Sequence, residues 1–366
     1  MPTKRYQSGR PELLKFINQE FVIRQIVKYG EISRADLARF TGLALPSIMR
    51  IVDALVVKGV VVEMGHGSSS GGRKPQMVAL NKAYMWIIGL EIAGRSIVTL
   101  SDFSGKPIAA HTIDTRNDDT PEVTLIRLLE IVQALIAAHG VDPRNVALGV
   151  GTPGQGFKHS GQKKGFIAKG WEIIDVGAWF EARLEMPVFV DNVCRTRTLS
   201  EVWFGRGRVN PSFLYAFIDQ GVGIGIVSEG VIVAGASGVA GEFGHTSIDR
   251  FGKPCYCGKN GCVEMYTSVG ALGDEPSLSA LTEAADALAF ALGNVVNMLN
   301  PPLIVLGGMV PRSHEIFTSL VKARLAPNIF HNLATDTEVV LSAVDNESVC
   351  LGSIALVINH VLMSRA

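Results

Sequence analysis

A chain of 366 residues, 47% hydrophobic and 19% charged, is too long for one average domain and suits a soluble globular protein of two or three domains with substantial cores. No apolar run reaches the ~18 residues of a bilayer span, and the N-terminus lacks the apolar stretch of a signal peptide, so a membrane protein is excluded and a cytoplasmic one expected. Five cysteines, three of them clustered, argue against a disulfide framework and leave Cys194 and Cys350 as inert core thiols. The zero net charge hides an asymmetry. Residues 1–82 hold thirteen Lys and Arg against six Asp and Glu, +7, which leaves −7 for the remainder. Such segregation fits a nucleic-acid-binding module joined to a neutral or acidic effector part.

Phe21 to Tyr29 places apolar residues on one helical face and ends at Gly30. Ser33 then stands as N-cap to Arg34 through Phe40, with Asp36 three residues on as an acidic variant of the capping box. After Gly42, Leu45 to Leu55 carries Pro46 in its first turn and Ile48, Ile51, Val52 and Leu55 on one face. Two short helices joined by a glycine-containing turn make a helix-turn-helix. Val60 to Met64 and Gln76 to Leu80 read as strands around a Gly/Ser-rich tip, which is a wing.

From Trp86 the pattern alternates. Ile87 to Leu90 and Ile97 to Ser101 read as strands, Val123 to His139 as a helix, and Val146 to Val150 as a buried strand before Gly151-Thr152-Pro153-Gly154. Pro187 to Asn192 is a strand feeding a helix through Glu201. The theme repeats with Phe213 to Ile218, the glycine-rich Gly221 to Gly225, a helix from Leu278 to Leu299, and the strand Leu303 to Leu306 before Gly307-Gly308. Strands alternating with helices imply α/β architecture with ligands near strand ends.

Between the last two strand–helix groups lies Gly241 to Glu264. Cys255, Cys257 and Cys262 form a C-x-C-x4-C array with His245 upstream. Three thiolates and an imidazole fill a tetrahedral shell and leave no position for an activated water, which describes a structural Zn2+. Gly258 and Gly261 permit the tight turns that closely spaced ligands need.

G-E-x-G-H-T followed by C-x-C-G-x-x-G-C-x-E resembles the signature of the ROK family (repressors, open reading frames, kinases). The resemblance covers nearly all of 83–366 and implies an actin-like, ribonuclease H-like fold of two lobes around a cleft, 83–205 and 206–366. It implies that His245 and the three cysteines bind zinc and that Asn192, Glu242, His245 and Glu264 face sugar hydroxyls. Within a DNA-binding domain expected over 1–82, residues from about 15 to 82 resemble the winged helix of ROK repressors. That module implies a double-stranded DNA operator, with Ser47 and Arg50 facing the major groove, Ser33 and Arg34 near the backbone, and Arg73 and Lys74 entering a minor groove. Ala44 and Leu45 stand where ROK repressors often carry serine and a basic residue, so base reading is expected to be sparse.

Kinase chemistry is a second matter. The family's base lies in Asn-Asp after an acidic residue; here Asp191-Asn192-Val193 puts Val193 at that position, in a register secured by Leu199, Glu201 and Gly205. A valine cannot accept a proton from a sugar hydroxyl. Where the family has Asp-x-Gly-Gly-Thr, this chain has Glu91-Ile92-Ala93-Gly94-Arg95, and the family's Pro-Asn before Gly-Trp is Ala168-Lys169. The expectation is therefore a carbohydrate- or polyol-responsive DNA-binding repressor with no catalytic residues, acting as a homodimer or higher homo-oligomer. The alternative is an ATP-dependent sugar kinase with an accessory DNA-binding module.

Overall fold

The computed structural model describes residues 11–66, 75–115, 120–154, 171, 174–330, 337–345 and 348–363. The N-terminal module runs α1 (Pro11–Tyr29), β1 (Glu31–Ser33), α2 (Arg34–Thr41), α3 (Leu45–Val57), β2 (Val61–His66) and β3 (Gln76–Leu80). The Ser33 hydroxyl accepts the Asp36 N–H at 3.0 Å and lies 2.7 Å from the Asp36 carboxylate, so the capping expected from sequence forms. Gly42 closes α2 in the left-handed region, φ 71°, where a side chain would strain the backbone. The antiparallel order β1-β3-β2 builds the wing sheet, and the module is a winged helix-turn-helix. Helix α1 starts at Pro11 rather than at Phe21; Leu14 and Ile17 remain exposed, so no burial periodicity marks its first half.

Two five-stranded sheets follow. The first is built from β4 (Trp86–Glu91), β5 (Arg95–Ser101), β6 (Pro107–Asp114), α4 (Pro121–Ala138), β7 (Val146–Thr152), α5 (Val176–Leu184), β8 (Val188–Asn192) and α6 (Val193–Trp203). The second comprises β9 (Phe213–Ile218), β10 (Val222–Ser228), β11 (Val231–Ile232), α7 (Glu264–Thr267), α8 (Val269–Leu272), α9 (Leu278–Leu299), β12 (Leu303–Gly307), α10 (Met309–Ser313), α11 (Glu315–Leu325) and β13 (Glu338–Leu341), and α12 (Leu351–Met363) ends the chain. Their orders are β6-β5-β4-β7-β8 and β11-β10-β9-β12-β13. Each sheet thus has two antiparallel hairpin steps and then two parallel neighbours, the same topology twice.

Glycines set how the layers approach. A Cβ on Gly149 of β7 would lie 2.0 Å from the Ser353 carbonyl oxygen, so α12 returns from the end of the chain to pack on the first sheet. A Cβ on Gly225 of β10 would strike the Thr198 side chain of α6. The glycine-rich run from Gly221 is therefore mostly strand pressed against a helix. One apolar core joins Val22, Ile26, Leu37 and Val52 of the N-terminal module with Trp203 of α6 and Ile354 and Ile358 of α12. Polar contacts reinforce that junction: Arg24 donates to the Gly230 carbonyl at 2.9 Å and lies over the Trp203 ring, and Arg208 donates to the carbonyls of Val27 and Lys28 at the end of α1. No single helix among the described residues is long and apolar enough to cross a membrane.

Candidate metal centre and ligand cleft

His245 and Cys255, Cys257 and Cys262 converge so that their donor atoms all lie within 4.8 Å of one another. Cys257 Sγ is 3.5 Å from Cys262 Sγ, and Cys255 Sγ is 3.6 Å from His245 Nδ1. Thiolates about 2.3 Å from one tetrahedral ion would sit roughly 3.7 Å apart, so the cluster fits a metal ion with little movement. The loop that gathers these donors turns at Gly258 and Gly261, with φ of 89° and 67°. A Cβ at Gly261 would also collide with the Asp249 carbonyl, 1.8 Å away. Cys194 and Cys350 are buried elsewhere, and burial first of all pushes both thiols up to about 12, which keeps them protonated.

With Nδ1 turned to the sulfurs, His245 Nε2 faces the Tyr256 hydroxyl at 3.1 Å. Glu264 lies nearby, and burial, then Glu264, raise the pKa of that hydroxyl, so the phenol stays protonated. Glu264 is buried and accepts the Val222 N–H at 2.9 Å. Glu242 is exposed on the same loop system. Across the cleft, Asn192 caps α6: its side-chain oxygen accepts the Cys194 N–H at 2.8 Å and its amide donates to the Gly154 carbonyl. Val193 begins α6 and presents no titratable atom. Helix α6 reaches the second lobe directly, since a Cβ on Gly223 would lie 3.1 Å from Cys194 Sγ and 3.8 Å from the Gly241 carbonyl oxygen. Residues 168–170 lie outside the described residues.

The strand ends on the other side of the cleft carry a constellation that sequence reading missed. Arg197, buried on α6, grips Glu91 at the end of β4 with Nε at 3.0 Å and a terminal nitrogen at 2.5 Å. Its remaining nitrogen pairs with Asp345, which follows β13 in the second lobe. Asp345 also accepts the Gly308 N–H and lies 3.4 Å from the Tyr215 hydroxyl. Burial opposes the Arg197 charge, but Glu91 overrides it and raises the pKa. A bidentate pair of this kind holds geometry firmly. The signal in the sequence was faint: one arginine in a helix whose residues from Thr196 to Trp203 are all buried.

Of the residues expected at DNA, Arg50 is exposed on α3 and Ser47 half-buried. Ser33 is buried as the α2 cap, and Arg34, with 12% of its side chain exposed, pairs with Asp53 at 2.6 Å and Glu63 at 2.8 Å. Arg34 therefore ties α2 to α3 and to the wing. Leu45 and Met49 are exposed on α3. Arg73 and Lys74 lie outside the described residues.

Comparison with known proteins agrees with this architecture. The xylose repressor of Bacillus spizizenii is 29% identical over 375 residues, spanning 95% of this chain and 97% of its own. The Escherichia coli DNA-binding transcriptional dual regulator NagC is 25% identical over 394 residues, spanning 97% and 96%. Among solved structures, a ROK family transcriptional regulator described as a homologue of the Escherichia coli MLC protein superposes with a TM-score of 0.75 at 23% identity, covering 96% of this chain and 97% of its own. The ROK hexokinase of Thermus thermophilus superposes with a TM-score of 0.61 at 22% identity, covering 74% of this chain and 97% of its own. These likenesses establish the two-lobed fold, with the regulator matched along its N-terminal module as well. The ROK family profile matches residues 87–275 and 270–360, both sheets and the candidate metal-site loop of the second lobe, and the chain belongs to the ROK family.

Proposed function

We propose that this protein is a carbohydrate- or polyol-responsive transcriptional repressor that binds a double-stranded operator as a homodimer or higher homo-oligomer and does not phosphorylate its ligand. The observation that carries the reading is a winged helix-turn-helix sharing one core with a sugar-kinase-like domain in which Arg197 pairs with both Glu91 and Asp345 at the strand ends. ATP phosphates need open backbone donors and a cation at those strand ends; Glu91 and Asp345 are instead neutralised from within, and Val193 offers no base. The proteins it resembles are named repressors of xylose and N-acetylglucosamine systems, which supports testing pentoses and acetylated hexosamines first. A Zn2+ ion at His245, Cys255, Cys257 and Cys262 would fix the imidazole and the loop bearing Glu242 and Glu264, with no vacancy for catalysis.

Helix α6 offers a route from ligand to DNA. It begins at Asn192 in the cleft, carries Arg197 between the lobes, and ends at Trp203 beneath Arg24 of α1. A ligand that prefers one lobe arrangement would bias the helix-turn-helix through this element. On the DNA side, Arg50 and Ser47 serve the major groove and Arg73 and Lys74 a minor groove, while Arg34 supports the helices from within. Tryptophan-fluorescence titration with pentoses, hexoses, acetylated hexosamines and polyols, with and without ATP, tests the reading when paired with a phosphotransfer assay and duplex selection. Ligand binding independent of ATP, with an altered affinity for selected duplexes, is expected. ATP-dependent phosphorylation of any bound sugar would overturn it.

A further inference from the structure

Tyr256 lies between two metal-ligating cysteines, so its backbone is tied on both sides. The Cys255 N–H donates to the Lys259 carbonyl at 2.8 Å, and the Gly258 N–H to the Cys255 carbonyl at 3.0 Å. The side chain is less constrained, and 59% of the residue is exposed. It nevertheless folds back over the cleft. Its ring meets the His245 ring edge-on, with centroids 5.1 Å apart and planes at 88°, and its hydroxyl rests 3.1 Å from Nε2, with Glu264 nearby.

With the metal on Nδ1, Nε2 carries the proton and donates. A carboxylate only accepts. Between them is a place for one group that accepts on one side and donates on the other, and an alcohol is such a group. The Tyr256 phenol supplies it from the protein itself; a sugar hydroxyl has the same chemistry. The geometry points to Tyr256 as a tethered competitor, whose hydroxyl fills the subsite between His245 and Glu264 until an effector displaces it by rotation of the tyrosine side chain.

Selectivity follows. A lone alcohol that displaced Tyr256 would exchange one hydroxyl for another and gain little. An effector must add contacts elsewhere in the cleft, at Glu242 and on the Asn192 wall, before displacement becomes favourable. Tyr256 therefore filters out small alcohols and admits a polyhydroxylated ligand that spans both walls. This inference rests on the carbohydrate-cleft reading above.

Full-length, zinc-loaded wild-type protein and Tyr256→Phe would be titrated calorimetrically with D-xylose, D-glucose, N-acetyl-D-glucosamine and xylitol, with zinc content measured alongside. The variant keeps the ring and removes the competing hydroxyl. At least one of these ligands should bind it roughly 2- to 10-fold more tightly than wild type, the worth of one released hydrogen bond, with zinc content unchanged. Equal binding, weaker binding or no binding by either protein for every member of the panel overturns the proposal; weaker binding would mean that Tyr256 contacts the ligand. Glu242→Ala separates the two readings. If it leaves all affinities unchanged, the cleft itself is wrong; if it weakens binding while Tyr256→Phe does not strengthen it, the cleft stands and the competitor falls.

Discussion

On one side of the cleft, exposed Tyr256 and half-buried His245 hold polar atoms above buried Glu264, beside the three cysteines of the candidate metal cluster; on the other, Glu91, Arg197 and Asp345 turn theirs on one another in the buried interior. Partners of the first kind can be exchanged for a ligand at small net cost, since a hydrogen bond lost is a hydrogen bond regained. Partners of the second kind cannot, because separating them strands charge away from water. On the function proposed above, the same two-lobed fold keeps a face for hydroxyls and closes the one where phosphates would enter. A kinase needs both faces; a sensor needs one.

The comparison can be broken at either end. The largest effect is expected at the metal. Cys257→Ser should abolish stoichiometric zinc, by elemental analysis, and loosen residues 245–262; structural zinc in small domains is worth about 10–16 kcal/mol of apparent binding free energy, part of which this larger core replaces. Full zinc retention, or a wild-type melting curve without zinc, would refute the structural assignment.

Next comes Arg197→Ala, which takes from buried Glu91 the cation it pairs with, leaves Asp345 with Arg312 at 3.5 Å, and should cost about 3–5 kcal/mol in denaturant unfolding. It should not confer phosphotransfer, because Val193 remains. A loss below about 1 kcal/mol would mean that solvent already reaches the pair.

Glu242→Ala probes the open side. Removing one charged partner of a ligand hydroxyl should weaken binding by about 1.5–3 kcal/mol, roughly 10- to 150-fold, with stability nearly unchanged because Glu242 is exposed.

The smallest effect sharpens the contrast between paired and neutralised carboxylates. Glu201 is fully buried; it accepts the Arg206 N–H at 2.9 Å and the Ser342 hydroxyl, and burial raises its pKa above the ordinary 4.5. As pH rises past 4.5 the unfolded chain ionises first, so the native state loses stability until the raised folded-state pKa is passed. Glu201→Gln keeps an acceptor for the Arg206 N–H and removes the titrating group, and the cost of losing the acceptor of the Ser342 hydroxyl is the same at every pH. Its urea midpoint relative to wild type should therefore improve between pH 4.5 and pH 7.5. A difference that stayed constant with pH would exclude burial of charge as the cause.

Much of this molecule was legible from local pattern. Ser33 with Asp36, Gly42, and Pro46 marked the helix-turn-helix, because capping and turn chemistry act within a few residues. The metal cluster was legible because its four donors lie within eighteen residues and each side chain has few other uses in a glycine-rich loop. Asn192 was assigned to ligand, yet it also proves to cap α6, a role that depends on where the strand ends. The glycine run from Gly221 stood out in the sequence only as glycine-rich, and the approach of Cys194 to Gly223 and of Thr198 to Gly225 shows tight packing over most of it. The bridge from Glu91 to Arg197 to Asp345 spans 254 positions in sequence, from 91 to 345, and no local rule links them. Arg34, expected near the DNA backbone, also pairs with Asp53 and Glu63, which no local pattern announced. Capping, turn and metal-ligand preferences are set by neighbours in the chain, so sequence alone determined them. Which charges are buried together, and so which face of the cleft is open, depends on the closing of distant strands and helices, and the tertiary structure decided it.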